Sequence, residues 1–175
     1  MSVQGRMEAT GVDDFVLTPQ RLAEANIHPD TRLATDYLNH FNEVVMLIDM
    51  LPVMPECVSD VLDWSPCSYP EHFRASHFKH RDLAIAAYNA VEPERRKALE
   101  ATIGMLDQAL LSVQRMIANE DLPIDHTIMR VTNVAEHQIK PLLEHASGLI
   151  NGAPVSDPEP ADPNAVQMAI DALFE

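Results

Sequence analysis

Histidine is the residue type in this chain best suited to metal chemistry, and eight histidines occur among 175 residues. His40 and Glu43 are three residues apart, so a helix would place both potential ligands on one face. A carboxylate-bridged di-metal bundle requires Glu-x-x-His on two helices, and no glutamate here is followed three residues later by a histidine. A metal-binding helical bundle around His40 and Glu43 is therefore kept as an alternative, and the leading interpretation includes no cofactor.

Motifs for nucleophilic or phosphate chemistry are missing from the sequence. It contains no Gly-rich phosphate loop and no G-x-S-x-G, and neither Cys57 nor Cys67 has an obvious activating histidine. The two cysteines lack C-x-x-C spacing, so we expect ordinary thiols. The stretch EHQIKPLL at 136–143 differs from the phospho-accepting box of sensor kinases, because Gln138 replaces its acid and one residue is missing before Pro141. An enzyme is therefore not indicated.

The charge of the chain excludes several classes of partner. Its formal charge is −15, from 27 acidic and 12 basic residues. Such a charge repels phosphate backbones and anionic lipids, so we expect no nucleic-acid and no membrane partner. The longest near-apolar run, VVMLIDMLPVM at 44–54, contains an aspartate and is too short to cross a bilayer. No basic-then-apolar leader opens the chain, and a cytoplasmic protein is expected.

Apolar periodicity predicts an all-α fold. Only five glycines occur, and alternation typical of strands is nowhere sustained. A helix is predicted over 31–51, apolar on more than one side and capped at Thr31. The clearest seam, with a period of 3.5, consists of Leu99, Ile103, Leu106, Leu110, Val113 and Ile117. The connection 119–123 is short, so the helices on either side of it should form a long antiparallel hairpin over 94–151.

Composition divides the chain into four parts. Residues 1–28 lack sustained periodicity and are predicted to be a mobile N-terminal arm, in which Thr18 to Ala25 could form one short helix after a Thr-Pro start. Residues 29–151 should be a helical bundle domain. The segment 152–163 is rich in proline and acid, which predicts a semi-rigid linker. The segment 164–175 is predicted to be an amphipathic C-terminal helix. The apolar surface of the seam and of helix 31–51 exceeds what one hairpin can cover, which favours a homodimer.

Two local features within the domain invite a functional reading. Pro141 should kink the second arm of the hairpin, near Gln138 on its seam. We interpret Gln138 as a residue that sets register in a bundle and Pro141 as a bend around the core. The loop WSPCSYPEHF at 64–73 contains aromatic residues that could form a peptide groove, and we favour the interpretation that Trp64 and Phe73 pack onto the helices.

The C-terminal segment has the pattern of a helix that binds in a groove. Its apolar residues lie at i, i+4, i+7 and i+8, and they are Val166, Ile170, Leu173 and Phe174. Gln167 and Asp171 form a polar edge beside this stripe, as a helix-in-groove ligand requires. The stripe would bind a protein partner or pack back onto the bundle as a final helix.

The stretch VQMAIDALF at 166–174 resembles the short helix of bacterial chemotaxis proteins written S-Q-x-E-I-D-A-L-L. That helix opens the flagellar motor switch protein, and a related one closes the chemotaxis phosphatase. Both dock on the phosphorylated response regulator. Val166 replaces the serine and Ala169 the acid. The resemblance implies that the tail engages a receiver domain.

The layout of a helical hairpin, a tether and a docking helix is also similar to that of the chemotaxis phosphatase. The catalytic Asp-x-x-x-Gln pair of that family is missing, because no acid here is followed four residues later by glutamine. The leading hypothesis is therefore a non-catalytic adaptor whose C-terminal helix engages a signalling partner. The alternatives are the metal-binding bundle and a structural helical protein with a self-packed tail.

Overall fold

The computed structural model describes residues 16–159 and Asn164, and the described residues form helices and connections without a strand, so the predicted all-α class is confirmed. The helices of the first half are α1 (Pro19–Glu24), α2 (Asn39–Met50), α3 (Val58–Asp63), α4 (Tyr69–Ala75) and α5 (Arg81–Asn89). Short 3-10 turns at Thr35–Leu38 and Pro55–Cys57 precede α2 and α3. No helix within the described part is long and apolar enough to cross a membrane.

The second half is the hairpin, and it consists of α6 (Pro93–Ala118), α7 (Ile124–Val134) and α8 (Lys140–Ile150). A π-turn at Ala135–Ile139 joins α7 to α8, and the Lys140 amide donates to the carbonyl of Ala135, five residues earlier. Pro141 follows this π-turn within backbone that remains helical, and it has no N–H to donate to a carbonyl of the preceding turn. The irregular backbone therefore comes immediately before the proline, as a π-turn.

The seam of α6 is covered by the same chain. Its buried residues, together with the apolar face of α8, form one core with α2, and the seam members buried there are Leu99, Ile103, Leu106, Leu110 and Val113. The large side chains of helix 31–51 are buried in that core as well, among them Leu33, Phe41 and Ile48. The premise behind the expected homodimer was therefore wrong, because a single chain covers both surfaces. The homodimer itself stays a prediction.

The domain begins before residue 29. Helix α1 starts after Thr18, whose hydroxyl accepts the Arg21 amide, and it buries Leu22 in the core, followed by Ala25 and Ile27. For residues 17–28 the expectation of a mobile arm needs correction, because three apolar side chains pack against the bundle there. The remainder of that expectation, on residues 1–15, lies outside the described part.

The predicted helix 31–51 is shorter than expected. Thr31 does not cap a helix, because its hydroxyl donates to the carbonyl of Ile150 at 2.6 Å and so ties the chain to the end of α8. Arg32 has a φ of 61°, and its amide donates to the carbonyl of His28 in a closed turn. The regular helix starts only at Asn39, after the 3-10 turn.

Helix α4 was not expected, since the segment 64–73 was interpreted as a loop. Ser68 accepts the Glu71 amide on its hydroxyl, and the Glu71 carboxylate accepts the Ser68 amide. This capping box, with Pro70 in the first turn, starts a helix in a proline-rich sequence.

The first part of the linker lies along the bundle. The Arg95 guanidinium, at the start of α6, donates to the carbonyls of Leu149 and Ala153 at 2.7 and 2.9 Å. The His145 ring bonds to the carbonyl of Ser156 at 3.1 Å. These contacts hold residues 153–159 close to α6 and α8, although most side chains of residues 153–159 are exposed.

Candidate functional site

A cavity of about 350 Å³ opens between α6, the start of α4 and the end of α5. This volume lies within the range of small-molecule sites. Its lining includes three tyrosines, three carboxyl groups and one thiol, and these are Tyr37, Cys67, Tyr69, Glu71, Tyr88, Glu100 and Asp107. No Lys or Arg lines it.

Helix α6 forms one wall because of its residue spacing. Glu100, Gly104 and Asp107 lie at i, i+4 and i+7, beside the apolar seam, and all three line the cavity. A Cβ added at Gly104 would meet no atom within 4 Å apart from its own helix backbone, so the glycine leaves open space. Sequence reasoning did not identify this face. The available signal was a glycine flanked by two acids at helical spacing, in the middle of an apolar helix.

The three phenols are held by hydrogen bonds and by each other. Tyr37 donates to the carbonyl of Cys67 at 2.8 Å, and Tyr88 donates to the carboxylate of Glu100 at 2.7 Å. The oxygen of Tyr69 accepts the Ala34 amide at 2.9 Å. The rings of Tyr69 and Tyr88 stack with centroids 4.5 Å apart. Burial raises the pKa of all three phenols, so they are neutral and rigid walls.

Asp107 has a buried carboxylate oxygen, Oδ1, to which no described residue donates a hydrogen bond. Burial raises the pKa of this carboxyl to about 6. Tyr37 lines the same cavity, and its phenol pKa is raised by burial and then by the charge of Asp107. No Lys or Arg of the described residues forms an ion pair with Asp107.

Cys67 is not set up as a nucleophile. Its pKa is raised by burial and by the charges of Glu71 and Asp107, which keeps the thiol protonated. Cys57 is also free, and it is buried.

His40 and Glu43, the predicted metal ligands, both lie in the first turns of α2. The His40 ring packs beside Trp64, Phe41 and His72, and its Nε2 atom has no hydrogen-bond partner. Burial and the neighbouring His72 lower the pKa of His40. Glu43 is exposed. In the described ranges, no three His, Cys, Asp or Glu side chains form a group that could hold a metal ion.

Trp64 and Phe73 pack onto the helices, as we expected for the aromatic segment 64–73. Phe73 is fully buried, and the Trp64 indole donates to the carbonyl of His40 at 3.0 Å. Gln138 is half-buried and faces residues 156–159 across a shallow cleft. It therefore does not set register inside the core.

The predicted partner-binding residues all lie outside the described part of the chain. They are Val166, Gln167, Ile170, Asp171, Leu173 and Phe174. Comparisons of the chain with protein-family models, with curated proteins and with solved structures found no match.

Proposed function

We propose that this protein is a non-catalytic cytoplasmic adaptor whose C-terminal segment, residues 164–175, engages a signalling partner through Ile170, Leu173 and Phe174. The observation that carries the proposal is where the core ends. Among the described residues, the last buried side chain is Ile150, and the core extends from there back to Leu22. The described core thus consists of residues of the helical domain, and the proposal assigns the apolar stripe of the tail to a partner.

The contacts at the end of α8 support this separation. Thr31 and Arg95 satisfy the carbonyls of Ile150 and Leu149, which would otherwise lack partners at a helix end. Gly152 then turns the chain with a φ of 93°. The chain thus leaves the core at a well-defined point, as a domain with an appended binding segment requires.

The chemistry of the tail indicates the kind of partner. No Lys or Arg occurs from Pro141 to Glu175, and the tail carries several acids. The partner surface should combine an apolar groove with basic residues at its rim. A chemotaxis-type receiver domain in its phosphorylated state is the specific candidate, on the basis of the resemblance of residues 166–174.

Stability measurements separate this adaptor from a protein whose tail completes its own fold. Removing residues 160–175 should shift the thermal midpoint by less than about 2 °C, because the core lies in the domain that remains. A self-packed tail would instead bury three large side chains at roughly 1.5–3 kcal/mol each. A clear drop in the midpoint of the truncated chain would therefore contradict the adaptor.

Binding measurements test the partner. The full chain is titrated calorimetrically with a chemotaxis-type receiver domain, phosphorylated and unphosphorylated. Leu173→Ala and Asp171→Lys should each weaken binding at least about tenfold, a loss of roughly 1.4 kcal/mol. Val155→Ala, at an exposed side chain of the linker, is the matched control and should bind like the wild type. Equal binding of all four chains would exclude the tail as the docking element.

A further inference from the structure

We propose that the cavity formed by Tyr37, Tyr69, Tyr88, Glu100, Gly104 and Asp107 is a binding site for a small organic cation, an amine with an apolar or aromatic body. This inference is independent of the adaptor proposal, because every lining residue lies within the helical domain and none lies in the tail.

The positive charge of the ligand is inferred from the charged groups around the cavity. Glu71, Glu100 and Asp107 line it, and no Lys or Arg of the described residues does. Arg96, outside the lining, lies 6.0 Å from the centroid of the Tyr88 ring. An ammonium group in the cavity would be attracted by these three carboxyl groups. Anionic ligands would meet three carboxylates, so they are disfavoured.

The lining indicates an organic cation and not a metal ion. The carboxyl groups are spread around the cavity, and no three acid, histidine or cysteine side chains of the described residues converge as a metal would require. The walls between them are tyrosine rings together with Leu99 and Ile103. Aromatic rings attract cations through their faces, and apolar walls favour a ligand with a hydrocarbon body.

Gly104 is the independent structural sign that the cavity serves a ligand. A glycine in the interior of a helix costs about 1 kcal/mol relative to alanine. Close packing does not explain it here, because a Cβ would meet nothing within 4 Å beyond the helix backbone. The missing side chain enlarges the cavity between Glu100 and Asp107 and leaves space for a ligand next to both carboxylates.

The test is calorimetric titration of the full chain at pH 7.5 and low salt, with phenethylammonium and hexylammonium as probes. The uncharged 2-phenylethanol and the anion 3-phenylpropionate are the matched controls. Phenethylammonium should bind at least about tenfold more tightly than 2-phenylethanol, and 3-phenylpropionate should not bind. The proposal is overturned if neither amine binds, or if the alcohol binds as well as the amine.

Variants locate the binding. The Cβ of Gly104→Leu would enter open space, and the rest of the side chain should block the cavity, so a variant that still unfolds cooperatively should lose binding. Asp107→Asn keeps the shape and should weaken phenethylammonium at least about tenfold. Asp121→Asn, at an exposed carboxyl between α6 and α7, should bind like the wild type. Undiminished binding by a folded Gly104→Leu would show that the amine binds elsewhere and would overturn the assignment.

Discussion

The substitution Asp107→Asn should stabilise the folded protein at neutral and alkaline pH. The carboxyl of Asp107 is partly buried, its Oδ1 atom has no hydrogen-bond partner, and its pKa is raised from 3.8 to about 6. One pKa unit corresponds to about 1.4 kcal/mol, so the full shift would represent about 3 kcal/mol. Solvent screens a partly exposed group, which reduces the expected gain to about 1 kcal/mol.

The raised pKa of Asp107 determines the pH range in which its charge destabilises the folded protein. Below pH 3.8 the carboxyl is protonated in the folded and the unfolded chain, and the penalty is absent. Between pH 3.8 and about 6 the unfolded chain loses the proton first, so stability is lost as the pH rises, and above that range the penalty is constant. The other titratable groups that line the cavity are Tyr37, Cys67, Tyr69, Glu71, Tyr88 and Glu100. Asp107→Asn leaves all of them in place.

The assay is urea unfolding at pH 8 and pH 4.5, followed by the fluorescence of Trp64, the single tryptophan. The variant should gain about 1 kcal/mol over the wild type at pH 8, and about a third of that gain at pH 4.5. Asp121→Asn, at an exposed side chain, should match the wild type at both values. A gain that is equal at both pH values, or a loss at pH 8, would refute the idea that a desolvated charge is removed.

Four further outcomes are expected. Arg95→Met should cost about 1–2 kcal/mol and speed amide exchange at the end of α8, because the guanidinium bonds to two carbonyls there; unchanged exchange would contradict this. Phe41→Ala, at a fully buried ring, should cost about 3–5 kcal/mol in urea unfolding, whereas Met46→Ala, at a side chain 57% exposed, should stay within about 0.5 kcal/mol. Ser68→Ala should lower stability by about 0.5–2 kcal/mol through loss of the α4 cap, and an equal midpoint in thermal unfolding would count against the capping box. Light scattering tests the homodimer, which remains a prediction from the sequence alone, and a 19.5 kDa particle at all micromolar concentrations would remove it.

The helices that were predictable from sequence are those with long apolar periods. The seam from Leu99 to Val113 identified α6, and the short connection after Ala118 identified the hairpin. Helix α4 follows a different signal, since its capping box Ser68–Glu71 was readable but its prolines suggested a loop. The capping box thus determines where α4 begins, and apolar periodicity did not predict this helix.

The cavity was harder to predict because its walls come from distant parts of the chain. Tyr37 and Asp107 are seventy residues apart, and only the tertiary fold brings them to one cavity. Residues 66–68 line the same cavity. Apolar periodicity describes the spacing within one helix, so no local pattern in the sequence encodes this proximity.

The attachment of residues 153–156 to Arg95 and His145 limits how far a bound partner can be from this domain. An extended chain advances at most about 3.3–3.6 Å per residue, so the seven steps from Glu159 to Val166 cover no more than about 25 Å. A chain free from Gly152 would reach about twice as far. A receiver domain held by the tail would therefore lie beside α6 and α8 and could touch them. The two ends of this short span would set the orientation of the complex, and lengthening it by a few glycines would loosen that orientation without changing a single docking contact.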